Sequence, residues 1–93
     1  MDIRHEPERR RFVARVGEEE AVLDYAERGE GVLDYRHTYT PPELRGQGIA
    51  GQLVLFALEY ARAHQLRVIP SCPFVAKIVR EHPAYASLIA DAR

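Results

Sequence analysis

The spacing of hydrophobic and polar residues changes partway along this chain. Residues 10–16 alternate, with Phe12, Ala14 and Val16 on one side and Arg11, Val13 and Arg15 on the other. That period of two is the mark of a half-buried strand. Gly17-Glu18-Glu19 reads as a turn, and residues 20–27 alternate again, Ala21, Leu23 and Tyr25 against Val22, Asp24 and Ala26. A second turn over 27–31 leads to residues 32–40, rich in aromatic and β-branched side chains. Connections this short join antiparallel neighbours, so a three-stranded meander is predicted. Pro41-Pro42 ends the third strand, because proline cannot donate to a ladder.

From residue 48 to 64 the period becomes helical. Ile49, Leu53, Phe56, Ala57 and Tyr60 mark an apolar stripe over about four turns. Residues 67–70 read as a short buried strand. The helix before it is long enough for a right-handed crossover, which sets this strand parallel to the 32–40 strand. Residues 74–80 read as a short helix with Pro73 in its first turn. His82-Pro83 breaks it, and residues 84–92 read as a last helical stretch. The predicted fold is α/β, in the order β-β-β-α-β-α-α, with helices on one small sheet. Residues 1–9 are a polar lead-in to a single domain over 10–92.

Composition narrows the class. The 93 residues, 46% hydrophobic and 29% charged, fit one globular domain and exclude a disordered tail, a collagen or a disulfide scaffold. No apolar run approaches the roughly 20 residues of a membrane helix, and the charged N-terminus has no apolar core of a signal peptide. Cys72 stands alone and cannot form an intramolecular disulfide. A reducing, cytoplasmic setting and a monomer or weak dimer are expected. Charge is uneven: residues 1–43 hold 7 Lys/Arg against 11 Asp/Glu, and residues 44–93 hold 6 against 3. If the split acts at all, an anion meets the second half and a cation the first. The sequence pI of about 6.4 speaks against a nucleic-acid partner.

The most informative segment is Glu43-Leu44-Arg45-Gly46-Gln47-Gly48-Ile49-Ala50-Gly51. Gly46, Gly48 and Gly51 spell G-x-G-x-x-G, but the dinucleotide fingerprint also needs an acid about 20 residues on. No Asp or Glu stands between Glu59 and Glu81, and the preceding strand follows hairpins rather than a crossover. No Gly-Lys-Ser/Thr follows, so it is not a Walker A loop. The physics of the loop survives both exclusions. Glycines allow tight turns and close approach to a ligand. Amides at a helix N-terminus present about half a positive charge, and Arg45 adds a full one. This is a pyrophosphate cradle; the plainer alternative is a glycine-rich helix start, which Ser, Thr, Asp or Asn would cap better.

Arg45-Gly46-Gln47-Gly48-Ile49-Ala50 resembles the Arg/Gln-x-x-Gly-x-Gly/Ala signature of the GNAT superfamily of N-acetyltransferases. Three further words resemble its small YjdJ-type branch: His37-Thr38 before Pro41-Pro42-Glu43-Leu44, Pro70-Ser71-Cys72-Pro73-Phe74-Val75, and His82-Pro83-Ala84-Tyr85. Together they cover about residues 10–90. The resemblance implies a minimal GNAT-like fold, acetyl-coenzyme A as co-substrate, and acetyl transfer to an amine. It implies that the loop from Arg45 through Gly46, Gln47, Gly48, Ile49 and Ala50 to Gly51 anchors the pyrophosphate. It further implies that the strand at His37, Thr38 and Tyr39 splays from residues 70–72, so that its backbone pairs with the pantetheine arm. Phe74 and Lys77 then border that arm and the adenine side.

Candidate catalytic residues each carry a second reading. Cys72 is a proton donor to the departing thiolate or an acetyl acceptor, or a small core thiol. His37 is a general base or a packed or solvated strand histidine; on a regular strand Tyr35 and Tyr39 share its face. Tyr85 is a proton donor, as a tyrosine is in many relatives, or a structural tyrosine. Glu43 is a base through water or a helix-start acid, and His82 chiefly a helix break. Lys77 meets a phosphate or is solvated. No Cys/His cluster has metal-ligand spacing, so no metal is expected. The additional N-terminal helices and C-terminal strands of larger relatives are not evident in the sequence. The acceptor side is therefore expected to be open, suiting a basic protein or peptide amine. The alternative is a non-catalytic acyl-coenzyme A-binding or sensor module.

Overall fold

The computed structural model describes residues 1–90. Five strands form one sheet in chain order: β1 (Asp2–Glu6), β2 (Arg11–Val16), β3 (Glu19–Glu27), β4 (Val32–Tyr39) and β5 (Arg67–Ile69). The first four are antiparallel in sequence, and β5 lies parallel to β4. Between β4 and β5 runs α1 (Ile49–Ala63), and after β5 comes α2 (Pro73–Glu81). The order predicted for residues 10–81 is the observed one.

Three predicted features are corrected. Residues 2–6 are not a loose lead-in but an edge strand, with Ile3 opposite Ala14 and His5 opposite Phe12. Only one of its five residues is aliphatic, which hides the alternation. His5 supplies the second inward position, stacking on Phe12 at 4.5 Å, with its Nε2 2.6 Å from the Tyr25 hydroxyl.

The last helical stretch is a 3-10 turn over Pro83–Leu88. After it the chain returns to the sheet, where Ile89 bridges Val68 in parallel and the Ala90 N–H donates to the Val68 carbonyl at 2.8 Å. A run this short gains little from α-helical nucleation, and pairing along the outer edge of β5 replaces it. The part of that stretch beyond residue 90 lies outside the described residues.

The buried face of α1 is also rotated from the expected one. Ile49, Leu53, Ala57 and Ala61 form its i, i+4 stripe, joined by Val54 and Leu58, whereas Phe56 is 38% exposed and Tyr60 half-buried. This stripe covers the sheet over Phe12, Leu23 and Tyr35, all fully buried. Each such side chain contributes roughly 1.5–3 kcal/mol of burial. The Tyr35 hydroxyl donates to the Ala57 carbonyl at 2.6 Å, tying β4 to the middle of α1. The outer face of the sheet is largely polar, with ion pairs such as Arg11 with Glu6 at 2.7 Å and Arg15 with Glu20 at 3.5 Å around the buried Val13.

Candidate active site

The site is built where β4 leaves β5. Their parallel pairing runs from Val32 with Arg67 to Asp34 with Ile69 and then stops. One more bond, from the Cys72 N–H to the Tyr35 carbonyl at 2.9 Å, closes the join. Beyond it β4 continues against β3 alone, while the other chain turns into α2 at Pro73. At the same level β4 bulges: Asp24 pairs with His37 and Tyr25 with Tyr35, leaving Arg36 without a partner on β3.

A bulge inverts the alternation beyond it, and this corrects the expected grouping of Tyr35, His37 and Tyr39. Thr38 pairs with the buried Leu23, so it shares the helix-side face with Tyr35. His37 lies opposite the exposed Asp24 on the other face, itself exposed, and Tyr39 is 48% exposed.

A cavity of about 400 Å³ opens at this splay. Thr38 and Thr40 form one wall and Phe74 of α2 another. Leu44, Arg45, Gly46 and Gly48 of the loop, with Ile49, Ala50 and Gly51 of α1, complete it. The loop is held by its own chain. Pro42–Leu44 make a 3-10 turn whose Leu44 is buried, and Arg45 Nε donates to the Thr40 carbonyl at 2.9 Å. Gln47 turns back to donate from Nε2 to the Glu43 carbonyl at 3.0 Å, bracing the loop from outside.

The three glycines have different reasons. Gly46 and Gly48 have φ of 77° and 75°, left-handed backbone that side chains resist. Gly51 has ordinary helical backbone, and a Cβ there would meet only Ile78 Cδ1, at a comfortable 3.9 Å. Neither strain nor packing requires this glycine, which lines the cavity. Gly48 caps α1 without a side-chain hydrogen bond, and the first helical bond is Gln52 N–H to the Gly48 carbonyl at 3.1 Å. The N–H groups of Ile49, Ala50 and Gly51 precede it and lie at the positive end of the helix. The donor set, one guanidinium with a row of main-chain amides and room beside them, fits a pyrophosphate.

Cys72 lies behind the Thr38 wall, buried, with its Sγ 3.6 Å from Thr38 Oγ1. Burial raises its pKa. The N–H of Val75, the Thr38 hydroxyl and the N–H groups of Phe74 and Thr38 stabilise the thiolate more, so the net direction is down. These amides act on the sulfur electrostatically, without the geometry of a helix cap.

The other candidates lie elsewhere. The Tyr85 hydroxyl donates to Glu59 Oε2 at 2.7 Å and the Arg62 guanidinium sits 5.5 Å over its ring, so Tyr85 ties the last turn to the outside of α1. The Glu59 carboxylate, then burial, raises its pKa. Lys77 pairs with Glu81 at 3.2 Å and lies 5.9 Å from the Phe74 ring, beside the cavity wall. His82 is the exposed C-terminal cap of α2, and Glu43 is exposed on the loop. Thr40 and Leu44 line the cavity without having been singled out in the sequence. Their signal is position alone: the last residue before Pro41-Pro42, and the one apolar residue before Arg45.

A family model for the GCN5-related N-acetyl-transferases matches residues 11–88. The Bos taurus protein NATD1 is 35% identical over 83 residues, 87% of this chain and 74% of its own length. Its Danio rerio counterpart is 32% identical over 93 residues, covering 96% and 84%. The NMR structure of a GCN5-like Staphylococcus aureus protein superposes with a TM-score of 0.74 at 23% identity, over 99% of this chain and 90% of that one, and so shares the fold. Matched by the family model over most of its length and by these relatives, this chain belongs to the GCN5-related N-acetyltransferase family.

Proposed function

We propose that this chain is a small N-acetyltransferase that binds acetyl-coenzyme A in the splay cavity and passes the acetyl group to an amine. The observation that carries this reading is the meeting, in one cavity, of a β4 edge left open beyond the splay and a helix N-terminus without a side-chain cap. When bound, acetyl-coenzyme A supplies the activated thioester. Arg45 and the amides from Gly46 to Gly51 would hold its pyrophosphate, Gln47 bracing them from behind. The open edge of β4 at His37, Thr38 and Tyr39 would hold the pantetheine arm, with Phe74 along its other side. A main-chain N–H of that edge would polarise the carbonyl. Cys72 and Thr38 would supply the proton for the departing sulfur, passing it from the thiol through the Thr38 hydroxyl. As the C–N bond forms and the C–S bond breaks, water takes the proton that the amine loses and returns one to the Cys72 thiolate, so the thiol is restored for the next turn. Among the described residues no carboxylate or imidazole lines the cavity.

That last observation favours a second reading, a module that holds an acyl-coenzyme A without turnover. Thiol release from acetyl-coenzyme A over a panel of amines and basic peptides separates the two. Amine-dependent release is expected. Release no faster than hydrolysis, with binding intact, would establish the module. Cys72→Ala and Thr38→Val should both slow release while binding is kept; an unchanged rate would return the thiol to a packing role. The acidic first half of the chain supports a cationic acceptor. The four sequence words support the YjdJ-type branch, and the free, buried Cys72 suits the cytoplasm. The acetyl-coenzyme A-binding domain, expected over 10–92, takes in β1 as well.

A further inference from the structure

A second cavity, of about 440 Å³, lies at the other end of β4 from the glycine loop and shares no lining residue with the splay cavity. Its floor is aromatic and aliphatic: Tyr25, His5 and Tyr60, with Leu33 and Leu66. The rings hold one another. His5 lies 4.4 Å from Tyr60, which stacks in turn on His64 at 4.1 Å, and the Tyr25 hydroxyl meets His5 Nε2. The rim is acidic, formed by Glu27 and Glu30, and among the described residues no lysine or arginine lines the cavity. Arg10 reaches Glu27 from outside, at 3.5 Å in a pair exposed on both sides, which is weak and easily exchanged. Gly29 and Gly31, at φ 86° and 73°, fold the β3–β4 turn around the mouth.

We propose that this cavity binds a small organic monocation, a primary amine carried on an apolar or aromatic body, at a site separate from the transfer centre. Ring faces attract a cation and bury its carbon body, and the two carboxylates give the charge that an amine needs and an anion would shun. His5 does not compete as a cation near neutral pH, because burial and then the nearby His64 disfavour its charged form. Leu33 stands five residues before Thr38 on β4, roughly 15 Å from it at strand spacing, with the fully buried Tyr35 between them. An amine seated here therefore cannot reach the thioester. Its role is accessory: it clamps β1, the β3–β4 turn and the end of α1.

The test is a titration of the full chain, without coenzyme, followed by amide shifts in NMR. The probes are tyramine and its neutral counterpart 4-ethylphenol. Expected are saturable shifts at Gly29, Gly31 and Leu33 with tyramine, with the loop at residues 46–51 unmoved. The neutral probe should bind more weakly. Glu27→Gln with Glu30→Gln, both on exposed side chains, should weaken tyramine roughly three- to tenfold. The proposal is overturned if no shift saturates, if the shifts fall on the glycine loop, or if both probes bind equally and the double variant changes nothing.

Discussion

Gly51 is the residue at which fold and function pull apart most visibly. In a helix interior glycine costs about 1 kcal/mol relative to alanine, and here nothing in the packing calls for it. Gly51→Ala should therefore raise stability by about 0.5–1 kcal/mol in thermal or denaturant unfolding. The same methyl group, on a residue that lines the cavity, should weaken acetyl-coenzyme A about tenfold by calorimetry, a loss of about 1.4 kcal/mol. A variant both more stable and equally tight would remove Gly51 from the cradle.

His5 has a different signature. Burial first, and then His64, lowers its pKa below the usual 6.5, against a smaller pull from Glu8. Below that value the unfolded chain binds the proton more readily than the folded one, so stability falls as pH drops through about 6.5 toward the lower folded value. His5→Gln should flatten that part of the stability–pH curve measured by denaturant midpoint. A slope identical to that of the parent chain would assign the effect to another group. Gly46 and Gly48 are legible in the sequence because their backbone angles demand glycine. The facing of His37 is not, because it depends on a bulge at Arg36 that arises where two strands part.

Between elements, the tie that matters most to the site is Tyr35. Its hydroxyl holds β4 against α1 just before the strand splays, and burial drives its pKa well above the ordinary tyrosine range. Tyr35→Phe should cost about 1 kcal/mol, because the Ala57 carbonyl loses only its second donor and the ring stays packed. Loss of more than about 3 kcal/mol would mean that the splay itself depends on this bond. Periodicity made β2, β3, β4 and α1 readable, since each buries a regular face. It missed β1, where a histidine replaces the second apolar residue, and it carried the last helical stretch past the 3-10 turn at Pro83–Leu88 into residues that pair with the sheet. There Leu88 anchors in the core and Ile89 pairs with Val68, a contact set by the outer edge of β5 rather than by local sequence.

At the scale of the whole molecule, the excess positive charge of the second half now has a location. Arg45 and the N-terminus of α1 face one cavity, while the acids Glu27 and Glu30 ring the other. The two cavities sit at opposite ends of β4, so the sheet separates an anion-facing end from a cation-facing one. Ligand at a hundred times its Kd stabilises a folded protein by about 2.7 kcal/mol, so acetyl-coenzyme A bound at the splay should also raise the melting temperature.

The most direct measurement is an NMR titration of the parent chain and of Arg45→Ala with acetyl-coenzyme A. Expected are saturable one-to-one shifts at Thr38 and from Gly46 to Gly51, with affinity about ten- to a hundredfold weaker in the variant. Absence of binding, or shifts that leave those residues untouched, would contradict the assignment of the splay cavity to the coenzyme.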